Sequence, residues 1–540
     1  MSKAEEIIKL RDKELGKQGN WRSLWQETAD LIFPREDQIY QKTYLGEDKT
    51  RKRYDSTAVL DSQDMASGLS GAMIPTGQKF FGLTINDREV LSMQGVEEYL
   101  SLATEIAHNE MFRSNFMLQL NETLRSLCVF GTGNLFSEWD SESLTLNYKD
   151  YDIAQYQILE NSRGLVDTVI LSIELTARQA LQEFPKMPKT TKDEASKDDA
   201  KNLKFIHIVR PRTDRNPKLK DNKNMPFESI VVCTKTKEIV KEEGFEENPF
   251  SVARWMKSSS EKYGRGQGTE ILSDVKILQV MKRDFIECGN KWNNPPLQVH
   301  QSVPNPVRVT PGAINRVMEM NQIAGINTSA MGNFPITKES LMDQQELIHK
   351  AFFRDIFVQL ADLQGDRRTT VEIMERLREG LRRLALPVAR LQSELFSPVI
   401  TRSVFLLIRN GKIPTPPVEL EGQTMVIEYE GQLALALKSQ QARGFQMWAE
   451  FVGAMEAIFP GVKDNISADR AIRRQGRAFG VHIEDMASPE EVAAARQQRA
   501  LEAQQQKAAE LAAMAAEGYD KTNKAPEQGS PAGEAMEAIA

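Results

Sequence analysis

Residues 269–296 read TEILSDVKILQVMKRDFIECGNKWNNPP, and residues 338–360 place Leu341, Ile348, Phe352, Ile356 and Leu360 at helical spacing. In the first stretch Ile271, Val275, Leu278, Lys282, Phe285 and Cys288 share one stripe, with Ile277 and Met281 beside it. That spacing predicts a helix of about 24 residues, about 36 Å long at 1.5 Å per residue. Asn293-Asn294-Pro295-Pro296 ends it, because proline has no amide proton to give the helix. Between the two helical patterns, residues 295–337 hold six prolines and short β-like runs such as Val307-Arg308-Val309. A long helix, a compact insert and a second long helix form the frame from which the rest is read.

Upstream, the first 130 residues read mainly as helices. Trp21, Leu24, Trp25, Thr28, Leu31 and Ile32 recur at spacings of three and four, with the two tryptophans as core anchors. Further helices are expected over Ser56–Met73, Val96–Arg113 and Phe116–Phe130, the last stopping at Gly131-Thr132-Gly133. Strands are expected at Leu135–Trp139, Leu144–Leu146, Val166–Leu171, Leu203–Arg210, Ser229–Thr234 and Phe250–Trp255. Thr176 is placed to cap a short helix that stops before Pro185. Lys186–Lys204 reads as a solvated, charge-dense loop, and Arg212–Lys223 as a second charge run with five basic against two acidic residues. The fold class is α+β, mostly helical.

Downstream of the second long helix, Leu363-Gln364-Gly365-Asp366-Arg367-Arg368-Thr369 interrupts the pattern. Thr370-Val371-Glu372 then opens an amphipathic helix with Ile373, Leu377, Leu384, Val388, Leu391 and Leu395 on its apolar face. A further helix ends at Asn410-Gly411. Ser488-Pro489-Glu490-Glu491 is a capping box with proline at the first helical position. It starts an Ala/Gln/Glu-rich helix over 488–517, and residues 518–540 read as a disordered tail.

The 540 residues carry 69 Lys+Arg against 76 Asp+Glu, a net charge of −7, which is not the basic footprint of a dedicated duplex binder. The three cysteines lie far apart with no CxxC pair, as expected in a reducing compartment. No run of 18 apolar residues is present, so no membrane partner is expected. There is no GxxxxGK[ST] and no HExxH, so neither a nucleotide cofactor nor a metal site is expected, and the chain does not read as an enzyme. Aspartates clustered only by the fold leave no spacing signal, which keeps a nuclease open. Tyr263-Gly264-Arg265-Gly266-Gln267-Gly268 is the nearest approach to a phosphate loop, but its glycine spacing reads better as a joint between sheet and helix.

Several segments, in order, resemble the portal (head-to-tail connector) proteins of short-tailed phages. They begin with Trp25, Ala29-Asp30-Leu31-Ile32-Phe33-Pro34-Arg35, Tyr54-Asp55-Ser56-Thr57-Ala58 and Met65-Ala66-Ser67-Gly68-Leu69. Pro75–Leu83, Gly131-Thr132-Gly133-Asn134, Val209-Arg210-Pro211-Arg212 and Pro249-Phe250 with Arg254-Trp255 follow. Tyr263-Gly264-Arg265-Gly266, Arg368–Ile373, Glu394–Ile400 and Pro414 with Pro416-Pro417 complete the set over roughly residues 20–440. Each motif is weak alone; the ordered set is specific. The family's Thr-Ala-Thr-Glu-Val pattern appears here shifted, as Thr369-Thr370-Val371-Glu372-Ile373.

The resemblance implies a ring, typically of twelve subunits, at one capsid vertex of the virion, made in the host cytoplasm. Double-stranded DNA passes its channel without sequence-specific contact. Terminase docks first and tail adaptor or nozzle proteins later, with major capsid, scaffold and internal core proteins as further partners. It assigns 1–268 to the wing, 269–294 and 338–363 to the two stem helices, 295–337 to the clip and 364–370 to the tunnel loop. Residues 371–487 become wing and crown helices, and 488–517 a crown or barrel helix. The expected channel residues are Gln364, Gly365, Asp366, Arg367 and Arg368. A net acidic subunit suits such a conduit, since each phosphate–cation contact raises the barrier to the next step of the duplex. By spacing alone, Arg367 and Arg368 read as a solvated connection paired with Asp362 or Asp366, and it is the resemblance that sets the channel reading level with it; 488–517 is equally an exposed single helix. Another oligomeric collar or tail protein, and a DNA-acting packaging enzyme, are the competing readings.

Overall fold

The computed structural model describes residues 2–40, 53–75, 79–293, 297–301, 314–317, 322–325, 334–357, 383–429, 447–455 and 489–522, less a few positions inside those spans and with a few isolated residues outside them. They fall into two compact units, residues 1–433 and 434–540.

The first unit opens with α1 (Lys3–Lys17), which starts at a capping box. The Ser2 hydroxyl accepts the Glu5 amide and the Glu5 carboxylate accepts the Ser2 amide, both at 3.3 Å. Helix α2 (Gly19–Leu31), a 3-10 turn (Pro34–Glu36), α3 (Thr57–Met73), strand β1 (Phe81–Ile85), the short α4 (Arg88–Leu91), α5 (Val96–Arg113) and α6 (Phe116–Phe130) follow. The bounds of α5 and α6 coincide with those expected from periodicity. Helix α6 is the centre of the unit: Phe116, Leu120, Leu124, Leu127 and Phe130 are all fully buried.

Strands β2 (Thr132–Asp140) and β3 (Thr145–Asp150) form a hairpin. β4 (Tyr156–Glu160) and β5 (Val166–Thr176) come next, then the helices α7 (Ala177–Glu183) and α8 (Lys189–Ala195). β6 (Asn202–Pro211), β7 (Phe227–Cys233), β8 (Glu238–Phe245) and β9 (Phe250–Arg254) close this part. β9 pairs with β2 to make a sheet ordered β3-β2-β9, and β4 to β8 form an antiparallel five-stranded meander. The meander is covered on both faces. Leu203 and Phe205 of β6, with Val231 and Cys233 of β7, meet α7 and α8 through Ala177, Ala180 and Ala195. The alternate residues Ile206, Ile208, Ile230 and Val232 meet Ala4 and Ile7 of α1. Two buried faces explain why these strands read as continuous apolar runs rather than alternating ones.

Thr176 caps α7 as expected, with Gln179 completing a capping box, and the helix ends at Glu183, ahead of Pro185. The solvated loop expected over Lys186–Lys204 is a correction. It contains α8, whose Thr191 and Ala195 are buried, and the start of β6. Two buried positions four residues apart, one per turn, suffice to dock a short helix, and the charges around them masked that signal.

Beyond the short α9 (Gln267–Glu270), α10 (Leu272–Asn293) leads to a ribbon of β10 (Leu297–Val299) paired antiparallel with β11 (Ile323–Gly325), and then to α11 (Phe334–Ala351). The second helix starts four residues before Lys338. It is also interrupted, because Phe353 is left-handed at φ 57° and a new turn begins at Arg354. Helix α12 (Arg383–Arg409) contains a π segment at Gln392–Phe396. Its Leu384, Val388, Leu391 and Leu395 are buried, as the pattern predicts; the separate helix expected to end at Asn410-Gly411 is instead its continuation through the π segment. By length and mean hydropathy α12 could cross a membrane, yet its apolar side packs inside this unit around a buried Arg402. Strand β12 (Met425–Tyr429) returns to pair antiparallel with β1.

In the second unit the principal element is α13 (Pro489–Thr522), 34 residues long. It carries the expected 488–517 helix five residues further, so 518–522 is helical; 523–540 lies outside the described residues.

Candidate functional site

The expected channel residues Gln364, Gly365, Asp366, Arg367 and Arg368 lie outside the described residues, as does the helix opening at 370–382. What the structure describes is the helical hairpin that leads to them and the ground it stands on.

That ground is α3 and the turn before it. The Gln279 carbonyl accepts the amides of Tyr54 (2.7 Å) and Asp55 (2.9 Å), and its amide donates to the Asp55 carbonyl (2.9 Å). The Asp55 carboxylate accepts the Thr57 amide at the start of α3 and the Gln345 side chain of α11 (3.0 Å), with Lys282 of α10 at 4.0 Å. One turn on, buried Asp61 faces His349 (2.6 Å) and Arg354 (3.5 Å) at the foot of α11. Burial pushes the Asp61 carboxyl up, and the His349 contact opposes that. Gln344 closes the hairpin onto Asp274 at 3.3 Å. Asp55 lies in a segment noted for its resemblance but given no role by spacing. The available signal was polar Gln279, Gln344 and Gln345 on helices otherwise facing a core.

The glycine-rich segment is the joint beneath α10. Gly131 closes α6 at φ 92°, and a Cβ there would collide with the backbone at Arg265 and Gly266. A Cβ on Gly266 would sit 2.6 Å from the Cys128 carbonyl oxygen, and one on Gly268 2.8 Å from that of Val129. The Trp255 amide donates to the Gly131 carbonyl at 2.9 Å. Two backbones cross here with no room for a phosphate, so the joint reading holds. Beside it Trp21, Trp25 and Tyr263 pack ring on ring at 5.1–5.8 Å between centroids, with Trp25 fully buried.

Arg254 locks this joint to α12. Its guanidinium makes a two-pronged contact with Glu394 in the π segment (3.1 and 2.7 Å), and its amide donates to the same carboxylate (3.0 Å). It also donates to Glu160 and to the Gly164 carbonyl. Two of the segments noted in sequence, Pro249–Trp255 and Glu394–Ile400, thus meet through one ion pair.

The outer faces of the hairpin are unusually apolar. Ile277, Val280 and Ile286 on α10, and Met342 and Leu347 on α11, are 42–57% exposed. Leu297 and Val299 continue the exposed surface onto the ribbon. Cys288, also on α10, is exposed, whereas Cys128 and Cys233 are buried.

A second polar cluster lies behind α6. Glu36, Asp150 and Asp152 present carboxylate oxygens within 4.8 Å of one another. Burial pushes Asp150 up to about 7, with Asp152 and Glu122 adding repulsion, and burial likewise raises Glu36 well above the usual carboxylate range. No spacing rule unites these three residues, and only the fold brings them together.

The sequence model of the family described as bacteriophage head to tail connecting protein matches residues 4–485. The chain is 26% identical over 514 residues to a probable portal protein of Bordetella phage BPP-1, covering 94% of this chain and 92% of that protein. It is 25% identical over 525 residues to the portal protein of Salmonella phage epsilon15, covering 95% and 94%.

Proposed function

Because the chain belongs to the bacteriophage head to tail connecting protein family, we propose that it acts as a closed ring of identical subunits, twelve by the resemblance, at one capsid vertex. Double-stranded DNA enters and leaves through the central channel. Terminase docks on the ring during packaging, and tail adaptor proteins take its place. In this reading α10 and α11 are the stem, the insert with its β-ribbon is the clip, and Arg367 and Arg368 in the tunnel loop guide the duplex. The 1–268 part and the helices after 371 form the wing and crown.

The observation that carries the ring is the apolar outer face of the hairpin. Five large hydrophobic side chains on α10 and α11 stand in solvent in the single chain. A heterologous contact, one face of each copy against a different face of the next, covers them and closes on itself. Each buried side chain of this size contributes about 1.5–3 kcal/mol, enough to offset the loss of freedom on association when several act together. The net charge of −7 fits a conduit that confines DNA rather than binding it.

Electron cryo-microscopy and native mass of the purified protein test this. The expected result is a closed ring whose channel passes a duplex about 20 Å across, as groove dimensions imply. Ile277→Glu with Val280→Glu should leave the subunit folded and open the ring. A chain that stays monomeric with its scaffold present, or a ring with no channel, returns the collar and packaging-enzyme readings.

A further inference from the structure

We propose that Glu36, Asp150 and Asp152 form a binding site for one divalent cation, Ca²⁺ by its dimensions, that ties the 3-10 turn after α2 to the β2–β3 sheet. The three carboxylates come from separate segments: the 3-10 turn, the end of β3 and the turn that follows it. Their oxygens lie within 4.8 Å of one another. Ca²⁺ holds oxygen ligands at about 2.3–2.6 Å, so it spans pairs up to about 5 Å apart, whereas Mg²⁺ at about 2.0–2.1 Å needs them closer. Thr123 donates to one Asp150 oxygen at 2.6 Å, and the Tyr151 amide also acts on this carboxylate.

The second observation is Tyr156. It is fully buried, its hydroxyl has no hydrogen-bond partner among the described residues, and the charges of Asp150, Glu36 and Asp152 all act on that hydroxyl. A buried phenol needs an acceptor. A water in the coordination shell of a cation held by these carboxylates supplies one. The surrounding charge agrees. Among the described residues, the charges of Asp150, Asp152 and Glu122 act on Glu36 against that of Arg125, with Arg35 acting on Arg125, and these six groups sum to two negative charges when all are ionised. One divalent cation balances them. The Arg125 guanidinium lies 4.4 Å above the Phe33 ring.

The test uses the full chain, stripped with EDTA and desalted, and Ca²⁺ alone as the titrant at pH 7.5. Calorimetry should show Ca²⁺ uptake that raises the unfolding temperature. Asp152→Asn and Glu36→Gln should each weaken that uptake at least tenfold, and Tyr156→Phe a few-fold. Mg²⁺ should bind at least tenfold more weakly; equal binding would overturn the Ca²⁺ assignment. Should the carboxylate variants not fold, the wild type still decides. Tb³⁺ bound there is sensitised through the neighbouring tyrosine, and Ca²⁺ should displace it. No Ca²⁺ uptake by the wild type, or uptake of unchanged affinity in folded Asp152→Asn, would remove the site.

Discussion

Gly131 and Arg254 show how much of this fold rests on single side chains. Alanine at 131 must adopt φ 92° and push into the backbone of 264–266. A cost of about 2–4 kcal/mol is expected, from the strained dihedral plus the collision. Urea unfolding should show the midpoint falling with its slope unchanged; an unchanged midpoint would mean the crossing relaxes freely. Arg254→Ala takes the two-pronged partner from nearly buried Glu394, which keeps only the looser Arg390 at 4.0 Å, while Glu160 keeps Lys257, and about 3–5 kcal/mol should be lost. The pair Arg254→Met with Glu394→Leu should recover most of it, and a cycle showing plain additivity would deny the coupling. At this scale the sequence was legible wherever a residue acts on its own backbone. Thr176 announces its cap, and Gly131 its helix end. Arg254 and Glu394, 140 positions apart, announce nothing, since an ion pair leaves no periodic trace.

Among the elements, the five-stranded meander carries a pH dependence. His207 on β6 accepts or shares a proton with Ser229 of β7 at 2.9 Å, and its ring lies 5.8 Å from that of Phe250. Burial, with Lys241 of β8 adding repulsion, depresses it to about 4. The unfolded chain therefore takes up this proton near pH 6.5 and the folded one only near 4. Stability is fully present above the unfolded value and falls as pH drops from about 6.5 to 4, by about 1.4 kcal/mol per pH unit at most. His207→Gln should flatten that slope in denaturant titrations run across the window; a slope unchanged by the substitution would assign it to other groups. Elements whose periodicity is local, such as α5 and α6, were readable from spacing. β1 and β12 were not, because Phe81–Ile85 and Met425–Tyr429 are five-residue partners brought together by all that lies between. Helix α8 was hidden by its own charges.

For the whole molecule, the ordered motifs marked the family before any geometry was known, because they span several elements in fixed order. The five tunnel residues could be named only through that resemblance. Arg367→Ala with Arg368→Ala should leave ring mass unchanged and slow DNA packaging in an in vitro packaging reaction. Normal packaging by such rings would return both arginines to a solvated connection. Deleting residues 488–540 bears on α13. If it lines a barrel, rings should still close and packaging or ejection change; loss of the ring itself would make the helix an assembly element.

The distribution of the three thiols offers an experimental handle. Cys128 and Cys233 are sealed in the core, while Cys288 stands open on α10. A maleimide dye should therefore attach once per chain, at one known height on the hairpin. In an assembled particle the number of photobleaching steps then counts copies one by one, without averaging over particles. The fraction of thiol shielded from the dye reports whether neighbouring chains have closed around that helix.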